Sequence, residues 1–326
     1  MKKRIFSGAQ PTGRLHLGNY LGALKNWVAL QDEYDSIFCI VNLHALTLPQ
    51  NPKTLRQKTL DLARIYLAAS IDPEIATIFI QADVPEHAEL TWILLCTARM
   101  GELERMTQFK DKSQKGGRER SSVGLFTYPA LMAADILLYH TDLVPVGQDQ
   151  KQHLELTRDL AERFNRDFGE TFVIPEPYIP KSGANIRSLQ DPAKKMSKSD
   201  ENEAGAIFLD DDADTISKKI KRAVTDSGTE INFDETRPAI HNLLTIYQLV
   251  TGKTEQECVE NFAGKGYGQF KGELAEAVVE YLRPFQERIS AYDDAELNRI
   301  LRTGAEKARS IASVTLADAY QKTGIR

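Results

Sequence analysis

Two kinds of hydrophobic pattern alternate along the first hundred residues. Short β-rich runs occupy residues 4–7, 36–41 and 76–81, and between them residues 19–31 and 53–69 carry apolar side chains at helical spacing. This order is typical of βαβ units, so the pattern predicts an α/β fold with a doubly wound parallel sheet. Such sheets bind ligands at the carboxyl ends of their strands, where a functional site should lie.

The pattern becomes mostly helical after this first part. Residues 85–139 are helical in character but are interrupted by a basic, glycine-containing loop at 110–124. A short strand at 142–146 precedes a polar helix at 148–168, and the prolines of segment 175–192 exclude a long helix there. Beyond that segment the signals are helical only, which predicts a C-terminal all-helical domain. Its clearest helices are expected at 237–251, 269–292 and 295–323.

Length and composition are those of a soluble, enzyme-sized protein. The 326 residues are 42% hydrophobic and 27% charged, which suggests two domains with a core that needs neither disulfides nor a structural metal. The longest apolar runs are strand-sized and the N-terminus lacks the apolar part of a signal peptide, so we expect a cytoplasmic protein without a membrane partner. Cys39, Cys96 and Cys258 are widely spaced and are expected to be buried, reduced thiols.

The charge balance limits the kinds of partner. Forty-one basic and 46 acidic residues give a net charge of −5, which argues against indiscriminate binding to nucleic acids. A polyanion therefore has to be met by local patches. The acidic run 210–214 precedes a helix expected to begin near Thr215, and we interpret it as solvated charge that favours the helix dipole rather than as a metal site.

The first candidate motif is the segment 11–19 (PTGRLHLGN), between the first strand and the first helix. Glycine at a strand-to-helix turn lets a ligand approach the backbone, and the N-terminus of the helix offers unpaired N–H groups and positive potential to a phosphate. His16 adds a donor at this place. The alternative is a turn with a capping histidine, and the residues alone leave both interpretations open.

The second candidate motif is the pentapeptide 195–199 (KMSKS), directly after the proline-containing stretch. Two lysines and two hydroxyls on a loop can neutralise the charge that develops on a departing pyrophosphate. A basic surface loop is the alternative. At ordinary residue frequencies, however, a chance match to all five residues is expected in only about one chain of this size in ten thousand.

Together the two motifs resemble the HIGH and KMSKS signatures of class I aminoacyl-tRNA synthetases. The resemblance runs from residue 4 to the C-terminal helices, so it covers nearly the whole chain, and it points to the bacterial tryptophanyl-tRNA synthetase family. The other segments that carry it are 6–11, 101–110, 132–139, 144–150 and 223–227.

This resemblance implies a two-step reaction, in which ATP activates tryptophan and the aminoacyl group then passes to the 3′ end of tRNA(Trp). Mg²⁺ would be carried on the ATP phosphates without dedicated protein ligands, and neither step would need a protein nucleophile. The family implies a homodimer that binds no DNA. It also implies a Rossmann-like catalytic domain (1–199) with a helical dimerisation insertion (about 85–140), and a helical anticodon-binding domain (200–326) whose last helix packs back on the catalytic domain.

The matching positions give an expected nucleotide site. Lys195 and Lys198 would stabilise the transition state, Lys112 of the basic loop would face a phosphate, and His16 would lie near the phosphates. Ile186 would lie against adenine. The resemblance implies ATP contacts from the first motif, the segment after the fourth strand and the signature loop, namely Gln10, Pro11, Thr12, Gly18, Asn19, Gly147, Gln148, Asp149, Ile186, Lys195, Met196, Ser197, Lys198 and Ser199.

Substrate choice would rest on Asp135. The indole N–H is a donor without an acceptor, so a buried carboxylate suits it, and such a site penalises phenylalanine because the carboxylate is then left unpaired. On pattern alone Val144 and Val146 are equally well explained as core residues. The resemblance implies tryptophan contacts at Asp135, Phe6, His44, Tyr128, Met132, Val144, Val146 and Gln150.

Three places depart from the usual family pattern and bear on fine pocket contacts: residues 42–44 (NLH), Gln148 and residues 185–187 (NIR). Alternatives to the leading interpretation are a tyrosyl-tRNA synthetase, a non-catalytic paralogue that binds tRNA, and an adenylyl or nucleotidyl transferase that shares only the first motif. One basic cluster would supply local charge to tRNA or, equally well, form a solvated helix face: Lys218, Lys219, Lys221 and Arg222.

Overall fold

The computed structural model describes residues 2–110, 121–147, 150–179, 185–197 and 202–326. At its centre is a five-stranded parallel sheet with the strand order β3-β2-β1-β4-β5. The predicted doubly wound sheet is confirmed. The strands are β1 (Arg4–Ala9), β2 (Asp35–Ile40), β3 (Thr77–Ile80), β4 (Leu143–Pro145) and β5 (Glu176–Tyr178).

Helices account for most of the remaining described chain. The first part contains α1 (Leu17–Asn19), α2 (Lys25–Glu33), α3 (Asn42–Ala45), α4 (Pro52–Ala68), α5 (Glu86–Thr97), α6 (Met100–Glu104), α7 (Val123–Leu137) and α8 (Lys151–Phe168), with a π-helical turn, Tyr20–Leu24, between α1 and α2. The second part contains α9 (Ala213–Lys221), α10 (Pro238–Thr251), α11 (Glu255–Phe262), α12 (Tyr267–Ile289) and α13 (Asp294–Thr323). The three long helices predicted there are confirmed to within three residues at each end.

Both faces of the sheet are buried. On β2, Phe38 and Ile40 belong to one apolar cluster, whereas Ile37 and Cys39 belong to the cluster on the other face. This is the alternation that a pleated strand imposes. A strand covered on both faces has a nearly continuous apolar sequence, which is why the run at 36–41 was recognisable.

The crevice of the sheet lies between β1 and β4. The strand order runs outward from β1 in both directions, so the winding reverses between these two strands, and a ligand site is expected at their carboxyl ends. Gly8 near the end of β1 permits close packing here. A Cβ at this position would lie 2.9 Å from Val41 Cγ1 and 3.0 Å from the carbonyl oxygen of Cys39.

The last helix, α13, lies directly against β3. Gly304 makes this approach possible, since a Cβ there would lie 1.8 Å from the carbonyl oxygen of Ile78. Ala308 and Ala312 continue the contact as small, fully buried residues. Further along, Thr315 Oγ1 donates a hydrogen bond to the carbonyl oxygen of Leu138 at 2.8 Å. The end of the chain is thus built into the core that supports the sheet.

A cysteine and a strand differ from the sequence prediction. Cys96 is exposed on α5, so only Cys39 and Cys258 are buried as expected. The strand β5 lies within the proline-containing stretch, where no strand was predicted. Pro177 is compatible with it because β5 pairs on one side only, with β4, and an edge strand tolerates a residue without an N–H.

The acidic run is also less solvated than expected. Asp211 is buried and accepts from Arg14 Nη2 at 2.8 Å and from Lys219 Nζ at 2.6 Å. The next residue, Asp212, caps α9 by accepting the N–H of Thr215. Lys219 therefore has a structural partner and is not part of a solvated basic face. Among the described residues no group of three His, Cys, Asp or Glu side chains is arranged so that it could hold a metal ion. No helix in the described part of the chain has the length and apolarity to span a membrane.

Candidate active site

A cavity of about 310 Å³ opens at the carboxyl ends of β1 and β4, beneath helix α7. This volume lies at the lower end of the range for small-ligand sites. Ser7, Gly8, Thr47 and Gln108 form part of its wall. The cavity also brings together all eight positions at which the resemblance implies tryptophan contacts: Phe6, His44, Tyr128, Met132, Asp135, Val144, Val146 and Gln150.

Asp135 is the buried polar centre of this cavity, with only 2% of its surface exposed. Its Oδ2 lies 2.7 Å from His44 Nε2. Its Oδ1 accepts from Gln81 Nε2 at 2.6 Å and lies 2.6 Å from His87 Nδ1. Each carboxylate oxygen has two lone pairs, so these contacts fill Oδ1 and leave Oδ2 able to accept one more hydrogen bond.

The partners of Asp135 favour its charged form. Burial alone raises the pKa of this carboxyl, but the charge of His44 and the hydrogen bonds from His44 and His87 outweigh it, so that the pKa is lowered overall. A buried carboxylate surrounded by donors therefore faces a cavity whose lining combines apolar and polar side chains. This arrangement is suited to a ligand that offers one N–H donor.

A second polar group of the cavity, Tyr128, lies on the same helix as Asp135, two turns earlier. The hydroxyl of Tyr128 donates to Gln108 Oε1 at 3.2 Å and lies 2.8 Å from His153 Nε2. Burial raises the pKa of Tyr128, so the phenol keeps its proton. The Tyr128 ring meets the His44 ring edge-on, with 6.1 Å between centroids. The cavity is therefore bounded by aromatic rings that are themselves fixed by hydrogen bonds.

The first motif forms a tight turn between β1 and α1. His16 is buried and caps α1, because its Nδ1 accepts the N–H of Asn19 while Asn19 Oδ1 accepts the N–H of His16. Backbone bonds on either side fix the turn to the segment that precedes α9: Leu17 N–H donates to Ile207 O and Leu209 N–H to Leu15 O. The histidine thus has the capping role that the sequence left open.

The second motif begins in a short antiparallel hairpin. The N–H of Met196 donates to Ile186 O at 3.0 Å and that of Ser188 to Lys194 O at 2.9 Å, with Arg187 and Lys195 paired between them. Ile186 and Met196 are buried, whereas Lys195 is exposed. The alternation that buries Met196 therefore turns Lys195 outward.

The two motifs meet at Gly18. A Cβ on this residue would lie 3.1 Å from His16 Nδ1 and 3.4 Å from Ile186 Cβ. The tight contact is thus with the capping histidine, and the hairpin packs close to the same place. On the other side of the hairpin, Asn242 of α10 holds the backbone of Arg187. Its Oδ1 accepts the N–H of Arg187 at 2.8 Å and its Nδ2 donates to the carbonyl oxygen of Arg187 at 3.0 Å.

The remaining expected nucleotide contacts lie around these motifs. Gln10 lines the cavity and so connects the cavity to the first motif. The next residue, Pro11, is buried. Thr12, Asn19 and Ser197 are half-buried, and Gly147 is exposed with its carbonyl accepting the N–H of Gln150. Five expected site residues lie outside the described residues: Lys112, Gln148, Asp149, Lys198 and Ser199.

Comparison with known proteins places this geometry in a family. The model of the tRNA synthetases class I (W and Y) matches residues 1–283. A tryptophan–tRNA ligase of Caldanaerobacter subterraneus is 56% identical over 324 residues, which are 99% of this chain and 98% of the relative. The chain belongs to the class I tRNA synthetases of the W and Y family.

Solved synthetase structures agree with the fold over nearly the full length. The tryptophanyl-tRNA synthetase of Mycoplasma pneumoniae superposes with a TM-score of 0.90 at 39% identity, covering 99% of this chain and 98% of that one. The enzyme of Campylobacter jejuni, solved in complex with ADP and tryptophan, gives a TM-score of 0.87 at 38% identity, covering 98% and 99%. The predicted family and the Rossmann-like class I fold are confirmed.

The structure of this synthetase also shows cavity and network residues that the sequence did not reveal. Gln81 and His87 bond Asp135, Tyr139 bonds His87, and Asn242 supports the signature hairpin. One weak signal was available: Gln81 is the first residue after a buried strand, at the edge of the sheet where ligands bind. His87 and Asn242 lie within helices, where nothing in their spacing distinguishes them.

Proposed function

We propose that this chain is a tryptophan–tRNA ligase. The observation that carries the proposal is the buried Asp135 carboxylate, which has one remaining acceptor direction and stands in a cavity of about 310 Å³ walled by Phe6, Met132 and Val144. An indole ring would fill the apolar part while its N–H donates to Asp135 Oδ2. The names of the relatives and the tryptophan in the Campylobacter jejuni complex support the same substrate.

Selectivity would follow from the cost of leaving Asp135 unpaired. Phenylalanine offers no N–H, so its binding would bury the carboxylate without its last partner. Tyrosine offers a hydroxyl that both donates and accepts. His44, Gln81 and His87 already bond Asp135, so the described wall near Oδ2 offers the substrate an acceptor. This matches the indole N–H, which only donates, better than a phenol hydroxyl, which also needs a donor.

In the first step the tryptophan carboxylate would attack the α-phosphate of ATP, forming the aminoacyl-adenylate and releasing pyrophosphate. The first motif would receive the nucleotide at the start of α1, with Gln10 between the two substrates. Mg²⁺ on the phosphates would offset their negative charge. Lys195 is exposed on the hairpin, and together with Lys198 of the same pentapeptide it would stabilise charge on the departing pyrophosphate.

In the second step a ribose hydroxyl at the 3′ end of tRNA(Trp) would take the aminoacyl group. The exposed Lys218, Lys221 and Arg222 at the end of α9 would supply positive charge to the RNA. We further propose a cytoplasmic homodimer that uses the helical segment at about 85–140. Trp92 and Met100 in that segment support this, because they are 68% and 66% exposed.

The test is ATP–pyrophosphate exchange with tryptophan, tyrosine and phenylalanine in turn. We expect exchange that depends on tryptophan, followed by charging of a tRNA(Trp) transcript. Exchange with tyrosine but not with tryptophan would contradict the proposal. Exchange with tryptophan but no charging would limit the activity to adenylate formation.

A further inference from the structure

We propose that His87, together with Gln81, is a positioning residue that holds Asp135 in one orientation, with Oδ2 directed at the substrate N–H. This inference rests on the proposed function, because it gives Asp135 the role of indole acceptor. His87 itself is fully buried behind Asp135 and would reach the substrate only through that side chain.

The hydrogen bonds of His87 define which of its nitrogens carries the proton. A carboxylate only accepts, so the 2.6 Å contact with Asp135 Oδ1 requires a hydrogen on Nδ1. In the neutral ring Nε2 is then an acceptor, and it lies 2.7 Å from the hydroxyl of Tyr139. Burial raises the pKa of Tyr139, so this phenol keeps its proton and donates to Nε2. Tyr139 thereby fixes the tautomer that serves Asp135.

Gln81 is fixed in the same manner from its other end. Its Oε1 accepts the N–H of Leu43 at 3.0 Å, which leaves its Nε2 to donate to Asp135 Oδ1 at 2.6 Å. Gln81 and His87 together satisfy both lone pairs of Oδ1. The carboxylate cannot rotate to exchange its oxygens without breaking two short hydrogen bonds in a fully buried place.

The network is also tied to the wall of the cavity. The ring of Tyr139 stacks on that of Phe6, with centroids 5.6 Å apart and planes 8° apart, and Phe6 lines the cavity. A substitution of His87 would therefore alter the hydrogen bonding of Asp135, whereas Tyr139 would still support the aromatic wall at Phe6. This separates the role of His87 from that of His44, which lines the cavity itself.

The test compares tryptophan with β-(3-benzothienyl)alanine, which has sulfur in place of the indole N–H. ATP–pyrophosphate exchange gives kcat/KM for each, and their ratio reports the hydrogen bond to Asp135. We expect His87→Leu to lower this ratio by about fivefold or more, since Oδ1 loses a donor and the carboxylate its orientation. His87→Asn, which can keep a donor near the position of Nδ1, should retain the ratio within about threefold.

Two further variants test the tautomer of His87 and control for a general effect of replacing a histidine. Tyr139→Phe removes only the hydroxyl that fixes the His87 tautomer, and we expect it to lower the ratio by about two- to fivefold. His87 Nε2 then lacks a buried partner, so thermal stability should fall, but the ratio compares two substrates on the same folded protein and does not depend on that loss. His241→Leu alters a half-buried histidine of α10 that packs on Phe233, outside the cavity, and should leave the ratio unchanged.

The outcomes distinguish a failure of the positioning role from a failure of the proposed function. If His87→Leu and Tyr139→Phe both lower kcat/KM equally for the two substrates, the ratio stays constant and the positioning role is refuted, although the proposed function stands. If the wild-type protein fails to exchange with tryptophan at all, the proposed function fails and the role of His87 fails with it.

Discussion

The two halves of the candidate site are built by different means. Around Asp135 the polar groups are buried and bonded side chain to side chain, through His44, Gln81 and His87. On the nucleotide side the described contacts that shape the site each involve a backbone group, either with another backbone group or with the side chains of His16, Asn19 and Asn242. Lys195 is exposed there. Selecting a neutral ring needs an acceptor fixed before the substrate arrives, whereas neutralising a leaving phosphate needs cations that can move with it.

The largest effect should come from the exposed side of this comparison. Lys195→Ala should lower kcat for tryptophan-dependent ATP–pyrophosphate exchange by about 10²- to 10³-fold, because a charge that acts on the leaving group is lost. KM for tryptophan should stay nearly constant, since the cavity around Asp135 is untouched. Steady-state exchange at varied ATP and varied tryptophan separates the two constants.

Lys194→Ala is the matched control for this change. Lys194 is also exposed, but its Nζ pairs with Asp191 at 2.9 Å, so we expect its removal to change kcat by less than about threefold. Equal losses in the two variants would mean that general positive charge, rather than the position of Lys195, serves the reaction. An effect of Lys195→Ala on KM for ATP alone would assign it to ground-state binding.

The second largest effect should come from the buried side. Asp135→Ala should lower kcat/KM for tryptophan by about five- to 150-fold, the equivalent of about 1–3 kcal/mol for a lost buried hydrogen bond. Discrimination against phenylalanine should fall by a similar factor. Met132→Leu, a volume-conserving change in the same wall, is expected to keep that discrimination. Unchanged selectivity in Asp135→Ala would remove it from substrate recognition.

The sequence predicted the fold well because the sheet is buried on both faces. Strands such as β2 have apolar residues at nearly every position, and the long C-terminal helices repeat apolar residues at helical spacing. The strand β5 escaped prediction because a three-residue edge strand with a central proline, Pro177, carries almost no pattern.

The candidate site was predictable only where its residues belong to continuous motifs. His87 and Gln81 reach Asp135 across 48 and 54 residues of sequence, and Asn242 reaches Arg187 across 55. Such contacts are formed by the packing of separate elements, so no pattern of neighbouring residues in the sequence predicts them. The burial of Asp211 was missed for the same reason, since its partner Arg14 is 197 residues away.

The hairpin that presents Lys195 gives a test of intermediate size. Asn242→Ala should leave the N–H and carbonyl of Arg187 unpaired beside α10, which costs about 2 kcal/mol in the free energy of unfolding. We expect kcat of exchange to fall by about tenfold as the hairpin loosens, with KM for tryptophan little changed.

Asn298→Ala is the control for this test, because Asn298 is an asparagine of α13 whose Nδ2 bonds the backbone of its own helix, at Asp294. Urea unfolding and exchange should both remain close to wild type. A loss of stability in Asn242→Ala without a loss of kcat would show that the hairpin keeps its geometry without this clamp.

The smallest effect concerns a second carboxylate with a lowered pKa, in a wetter setting than Asp135. Asp226 accepts from Arg237 Nε at 2.8 Å and from the hydroxyl of Tyr267 at 2.6 Å, and the hydrogen bond from Arg237 is the main cause that lowers its pKa. Because Asp226 is partly exposed, the pair should contribute only about 0.5–1 kcal/mol at pH 7. Asp226→Asn should lower the free energy of unfolding by that amount.

The pH dependence follows from the sign of that shift. A carboxyl whose pKa is lower in the folded state stabilises fully above its unfolded value of about 3.9, and this contribution is lost as the pH falls toward the folded value. The difference between wild type and Asp226→Asn in urea unfolding should thus be constant from pH 7 to 5 and smaller at pH 3. It should also shrink in 1 M NaCl, whereas the tryptophan selectivity set by buried Asp135 should not. A salt-sensitive selectivity would mean that Asp135 is reached by solvent ions, which would contradict its burial.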